Sequence, residues 1–253
     1  EHLAGLVDQI KVIGRGPEAH IRTGDPLEPQ IESTRALLAK HGLRVAAINP
    51  YTMPALANFA KEDLQGAIER WSLLIDIAVA LDAPNVNFLP GWLPDGDRVA
   101  WEAAIAALRE LTKYAEEKGV SLAIHNHEGQ IIDSPDKCLR LIEEVGSPKL
   151  GVLCDITNFY ILGADVAQAV HRVGPHIVHC HVKGVKGKYP FNEFLIPGEE
   201  GDELPFEPFA AALGEVGFEQ CMSVEVFKWM RQEKAAIGYE LMSSVLASLG
   251  LRP

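Results

Sequence analysis

Leu150-Gly151-Val152-Leu153-Cys154-Asp155 is an apolar run that ends in a carboxylate. Its length and composition read as a strand, and the strand delivers a metal-capable side chain at its last residue. Three other stretches have the same layout. They are Ser121-Leu122-Ala123-Ile124-His125-Asn126-His127, Ile177-Val178-His179-Cys180-His181 and Met222-Ser223-Val224-Glu225. Four strand ends thus supply His125, Asp155, His181 and Glu225, and they read as one site assembled from distant parts of the chain.

Working outward, helix patterns separate the strands. Leu27 to His41 closes at Gly42, and two long amphipathic helices cover Glu62 to Leu81 and Asp97 to Lys118. Ser134-Pro135 opens a helix that runs to Val145, with Ser at the cap and Pro at the first position. Further helices are expected at 164–173, 206–216 and 234–249. Further strands are expected at 7–14, 43–49 and 85–90. Strand and helix alternate with no linker and no composition shift, so residues 1–253 read as a single domain with parallel strands and helical crossovers. The fold class is α/β. Seven strands with seven following helices fit a (β/α)8 TIM barrel whose first βα unit is missing or incomplete at the N-terminus, with 1–6 read as a helix end. An open doubly wound sheet is the alternative. It commonly carries a Gly-rich phosphate turn after an early strand, and the sequence has none. The segment 184–205 holds Pro190, Pro197, Gly198 and Gly201 and reads as a long functional or mobile loop.

The 253 residues are 47% hydrophobic and 23% charged, enough for a large core. A net charge of −12 argues against nucleic acid as a partner, since phosphate binding needs a basic face. No apolar stretch reaches bilayer length, so no membrane span is expected. The four cysteines, at 138, 154, 180 and 221, stand singly and read as reduced thiols of a cytoplasmic protein.

In a parallel barrel the C-terminal strand ends form one face, and active sites sit there. His125, Asp155, His181 and Glu225 follow one another at separations of 30, 26 and 44 residues, as successive βα units do. Two imidazoles and two carboxylates suit one divalent ion of Mn, Mg, Co, Fe or Zn, and the absence of thiolate argues against a structural zinc. Blander roles stand beside this one: Asp155 as a helix cap, His181 as a core histidine, Glu225 as an ion-pair partner, and His179 as packing.

The strand ends IHNH at 124–127, LCD at 153–155, HCHVKG at 179–184 and SVE at 223–225, with the loop IPGEEG at 196–201, resemble the sugar phosphate isomerase/epimerase-like superfamily, the xylose isomerase-like TIM barrels. The resemblance implies a single metal held by strands five to eight. Asp155, His181 and Glu225 match directly, whereas His125 stands where the family usually has Glu, with His127 and Glu128 as alternative ligands from that strand end. Asn158 replaces a substrate-binding His, Gly184 replaces the carboxylate of an HxKD motif, and Ile131 replaces a second Glu base. The resemblance implies proton abstraction beside a carbonyl or hydroxyl through a metal-stabilised enediolate, carried out on a sugar, keto-sugar or polyol by an isomerase or epimerase. Two rival outcomes are a metal-dependent lyase or dehydratase of a keto-inositol or 3-keto-glycoside, and a non-catalytic sugar-binding subunit. The expected catalytic residues are Glu225, His127 and Lys183. The expected substrate contacts are Asn158, Lys183, Trp92 and Glu199, with His20, Asn49, Tyr51, Asn87, Phe227 and Trp229 as further pocket candidates. Relatives of this kind often form homo-oligomers.

Overall fold

The computed structural model describes residues 6–7, 10–11, 13–14, 21–22, 25–50, 64–91, 98–225 and 235–250. They fall into two compact units: Glu1–His125 with Gly129–Ile131 and Arg140–Gly151, and Asn126–Glu128 with Ile132–Leu139 and Val152–Pro253.

The first unit contains β1 (Leu6–Val7), β2 (Ile10–Lys11), β3 (Ile13–Gly14), β4 (Ile21–Arg22), α1 (Leu27–His41), β5 (Arg44–Val45), β6 (Ile48–Asn49), α2 (Leu64–Ala80), β7 (Asn85–Phe88), α3 (Arg98–Lys118) and β8 (Ser121–His125). Strands β2, β6, β7 and β8 pair in that order, all parallel. Parallel neighbours need helical crossovers, and α2 and α3 supply them. Their apolar faces repeat at helical spacing: Ala67, Trp71, Leu74 and Ala78 are buried on α2, and Trp101, Leu108, Leu111 and Ala115 on α3. Trp71 meets Phe88 of β7 edge-to-face at 5.5 Å between ring centres. Helix α1 stops where predicted: Gly42 has φ 63° and donates to the Ala39 carbonyl. Two expectations differ. Leu6, read as part of a helix end, lies in a strand that pairs with Arg44. The single strand expected at 43–49 is broken into two two-residue pieces, and of the strand expected at 7–14 the described residues 7, 10–11 and 13–14 are extended.

Helix α4 (Pro135–Val145) and strand β9 (Leu150–Asp155) have residues in both units. The second unit continues with α5 (Ile156–Ile161), α6 (Val166–Val173), β10 (Ile177–Val182), β11 (Gly184–Lys186), β12 (Glu193–Leu195), α7 (Phe206–Glu215), β13 (Met222–Val224) and α8 (Ala235–Ser248). Strands β9, β10 and β13 are parallel, with His181 opposite Asp155 on one side and Ser223 on the other. All six residues of β9 are buried, as its near-continuous apolar run requires of an interior parallel strand. Phe159, Val170, Phe209 and Ala210 pack the helices of this unit, each with none of its surface exposed. None of the four cysteines is in a disulfide.

Residues 184–205, expected as irregular loop, contain an antiparallel hairpin of β11 and β12. Asp202 ties its base together, accepting from the backbone N–H groups of Val185 (2.9 Å), Leu204 (3.0 Å) and Gly198 (2.8 Å). Gly184 is required by close approach: a Cβ there would lie 2.6 Å from the Ile196 carbonyl oxygen and 3.0 Å from the Asp202 carboxyl carbon. No helix among the described residues is long and apolar enough to cross a membrane.

Candidate metal centre and active site

The site is built on the last residues of β9 and β10 and on the residue after β13. Asp155 ends β9 in extended conformation and is also the N-cap of α5, a helix the sequence pattern does not announce. Its Oδ1 accepts from the Asn158 N–H at 3.2 Å. Its Oδ2 accepts from the Lys183 ammonium. Capping, considered above as an alternative role, therefore occupies one oxygen and leaves the other for charge.

Asn126 holds Asp155 by the backbone. Its Oδ1 accepts from the Asp155 N–H at 2.8 Å and its Nδ2 donates to the Asp155 carbonyl at 2.9 Å. Asn158 completes the frame by donating through Nδ2 to the Asn126 carbonyl at 2.8 Å. Asn126, Asp155 and Asn158 have no exposed surface. Asn126 lies inside the HNH stretch, yet reading that stretch for ligands passes it over. The signal was present: an amide side chain can satisfy both backbone groups of a neighbouring strand end at once.

His181 is fully buried, and one of its ring nitrogens lies within 4.8 Å of an Asp155 carboxylate oxygen. His181 Nδ1 is 3.9 Å from Glu225 Oε2. The backbone of Glu225 is anchored by its N–H to the Val182 carbonyl at 2.8 Å, which continues the β10–β13 register by one residue. Asp155, His181 and Glu225, expected as ligands, are thus brought together. His179 hydrogen-bonds Ser223 Oγ at 2.7 Å and its ring meets His181 edge-to-face, a packing role as expected. His125 is buried at the end of β8, one residue before Asn126.

Lys183 is the residue whose placement differs most from a loop charge. Only 1% of it is exposed. Its ammonium donates to Asp155 Oδ2 and, at 2.9 Å, to Glu225 Oε2. Its backbone is clamped by Thr157, whose hydroxyl donates to the Lys183 carbonyl at 2.6 Å and accepts its N–H at 3.3 Å. Burial disfavours the ammonium, but the adjacent Asp155 and Glu225 charges outweigh it, and the group is held charged above the ordinary lysine range.

His127 lies half-buried, its Nδ1 2.7 Å from Glu128 Oε2. Burial works against its charged form, the Glu128 hydrogen bond and charge work for it, and the imidazole ends above its ordinary value. Glu199 turns back onto its own loop, its Oε2 accepting the Ile196 N–H at 3.3 Å. Ile131 is buried and offers no base. Asn87 is fully buried on β7, and Asn49 ends β6. Trp92, His20, Tyr51, Phe227 and Trp229 lie outside the described residues.

The donor set fits a divalent cation. Two buried carboxylates and an imidazole converge, and a positive charge, the Lys183 ammonium, already stands between the carboxylates.

These strand ends and their geometry define a class. Residues 7–243 match the model of the xylose isomerase-like TIM barrel, and the chain belongs to that family. It is similar to the D-psicose 3-epimerase of Enterocloster bolteae, 25% identical over 67% of this chain and 58% of the relative. It is also similar to the inosose dehydratase of Geobacillus thermodenitrificans, 28% identical over 49% of this chain and 46% of the relative. The chain therefore spans about half the length of these curated relatives. A xylose isomerase-like TIM barrel protein from Mycobacterium smegmatis, solved in complex with magnesium, superposes with a TM-score of 0.77 at 20% identity, covering 96% of this chain and 84% of that one. That likeness establishes the fold: a parallel curled sheet with helices, as the alternating pattern predicts.

Proposed function

We propose that residues 1–253 act as one barrel domain that isomerises or epimerises a small sugar, keto-sugar or polyol with the aid of one divalent ion. Asp155, His181 and Glu225 would hold the ion. When bound it would supply Lewis-acid polarisation of substrate oxygens and offset the negative charge left by proton loss. The observation that carries this reading is the convergence of Asp155, His181 and Glu225 in a water-poor setting around a single positive charge. The epimerase relative supports the reaction class.

The chain's own groups supply the proton chemistry. Glu225, at the edge of the cluster and 8% exposed, would take a proton from a carbon beside an oxygen. His127 is a second proton carrier, and Glu128 fixes its ring and holds its proton. Asn158 and Lys183 are the polar contacts for substrate oxygens, with Glu199 and Trp92 as further candidates.

A second reading keeps the same residues and ends in loss of water or of an aglycone. The specific observation in its favour is Ile131, a buried hydrocarbon where a two-carboxylate epimerase needs its other base. The inosose dehydratase relative points the same way. One experiment separates the two. The purified protein is analysed for metal, then incubated in deuterated water with a panel of keto-sugars and keto-inositols. Deuterium uptake with conserved mass otherwise supports the isomerase, and elimination supports the lyase. No exchange with any substrate in the metal-loaded protein would sink both.

A further inference from the structure

Lys183 is the least ordinary charge in the described residues. A lysine 1% exposed, with both hydrogen-bonded carboxylates nearly as buried, is far from the solvated surface that lysines favour. The three groups carry one net negative charge. A divalent ion shared by Asp155 and Glu225 would cancel their two charges alone. With the ammonium still donating to the same two oxygens, the trio and the ion would carry net positive charge, and two cations would lie a few ångström apart in a dry pocket. Like charges so placed and so poorly screened repel strongly. The ion and the ammonium are therefore competing occupants of one position.

We propose that Lys183 is a tethered cation that is exchanged against the divalent ion: its ammonium holds Asp155 and Glu225 in the metal-free protein and leaves both when the ion binds. This rests on the reading of Asp155 and Glu225 as ligands.

The surroundings suit an exchange made by the side chain alone. Thr157 clamps both backbone groups of Lys183, and Gly184 is pinned against the Ile196 carbonyl, so the main chain stays in place. The exchange needs only rotation about the bonds of the four-carbon stem. The Phe194 ring of β12 already lies 5.1 Å from the ammonium and gives it an uncharged partner beside the two carboxylates. Two consequences follow. Metal-free protein avoids two buried, unpaired carboxylates, and metal affinity is lowered by the work of displacing the ammonium. In the loaded protein the released ammonium becomes available to a substrate oxygen, the role that its position in the sequence suggested.

The test uses Mn²⁺ and Mg²⁺ alone, without substrate. Chelator-stripped wild type and Lys183→Met are titrated with Mn²⁺ by calorimetry. The exchange predicts about ten-fold or more tighter binding by Lys183→Met, because no ammonium must be displaced. In parallel, lysine ammonium resonances of ¹⁵N-labelled wild type are followed during Mg²⁺ titration, a readout independent of whether the variant folds. One protected resonance, present without metal, is expected to shift or vanish in step with occupancy. Metal binding by wild type with that resonance unchanged, or binding by Lys183→Met that is equal or weaker, overturns the exchange while leaving the metal site standing. Failure of wild type to bind either ion overturns the metal site and the exchange with it.

Discussion

Two charged clusters, one in each unit, use the same chemistry in opposite settings. Glu144 at the end of α4 accepts from Trp101 Nε1 at 2.8 Å and Arg140 Nε at 2.6 Å, with Arg140 stacked over the Trp101 ring at 4.4 Å. The Arg140 side chain is 63% exposed and that of Glu144 37%. In the other unit, Asp155, Lys183 and Glu225 are almost wholly withdrawn from water. A pair like Arg140–Glu144 adds little, since solvent screens it and each side chain gives up freedom to hold it. The Lys183 trio has its desolvation cost built in, so no member can be removed cheaply. A fold that only needed stability would fill such a position with hydrocarbon. Charge buried at strand ends and held by dedicated backbone clamps is what sets the proposed site apart from the exposed pair.

The contrast breaks most sharply at Lys183. Replacing it with Met in metal-free protein should lower stability by about 3–5 kcal/mol, because two carboxylates lose their counter-ion in a dry pocket. Denaturant titration with and without Mn²⁺ checks this, and added metal should restore much of the loss. A change below 1 kcal/mol would place the trio with the surface pairs. Next in size is Asn126→Ala, which orphans the buried N–H and carbonyl of Asp155. About 3 kcal/mol is expected from two groups left unsatisfied, with weaker metal binding in calorimetry. Gly184→Ala should cost about 1–3 kcal/mol by forcing the Ile196 carbonyl away, read as a fall in melting temperature.

The smallest effect belongs to the exposed cluster. The Trp101 N–H bond, helped by the Arg140 hydrogen bond and charge, holds the Glu144 carboxyl below its ordinary value against the opposing effect of burial. A lowered folded-state value means a contribution present above the ordinary glutamate range and lost as pH falls through the lower folded value. Glu144→Gln should therefore reduce stability near neutrality by less than about 1 kcal/mol, with the difference from wild type vanishing at acid pH and shrinking in high salt. An undiminished difference at acid pH would contradict the sign.

The parallel strands from 85 onward and the metal-capable residues at their ends are legible in the sequence because both follow from local pattern. An apolar run closing on Asp155 or His181 is visible residue by residue. What the sequence did not carry depends on distant groups. Nothing local says that the Lys183 stem folds back onto Asp155 and Glu225. Nothing local says that Asn126, flanked by two conspicuous histidines, braces another strand's backbone. Gly184 reads in sequence as a lost carboxylate. The fold gives the reason: no side chain fits beside the Ile196 carbonyl, and Asp202 brings a carboxyl to that spot from later in the loop. The β11–β12 hairpin is hidden among Gly and Pro because its Val185–Phe194 pairing spans a turn with little periodic signal. Helix α5 is too short to show a repeat, and only its Asp155 cap betrays it.

Everything proposed for this site depends on Asp155, His181 and Glu225 holding a divalent ion. Equilibrium dialysis of chelator-stripped protein against Mn²⁺, followed by metal analysis, tests it most directly. Wild type should retain about one ion per chain, and Asp155→Ala and His181→Ala, each shown folded by circular dichroism, should retain essentially none. Equal metal content in all three proteins, or none in wild type, would contradict it.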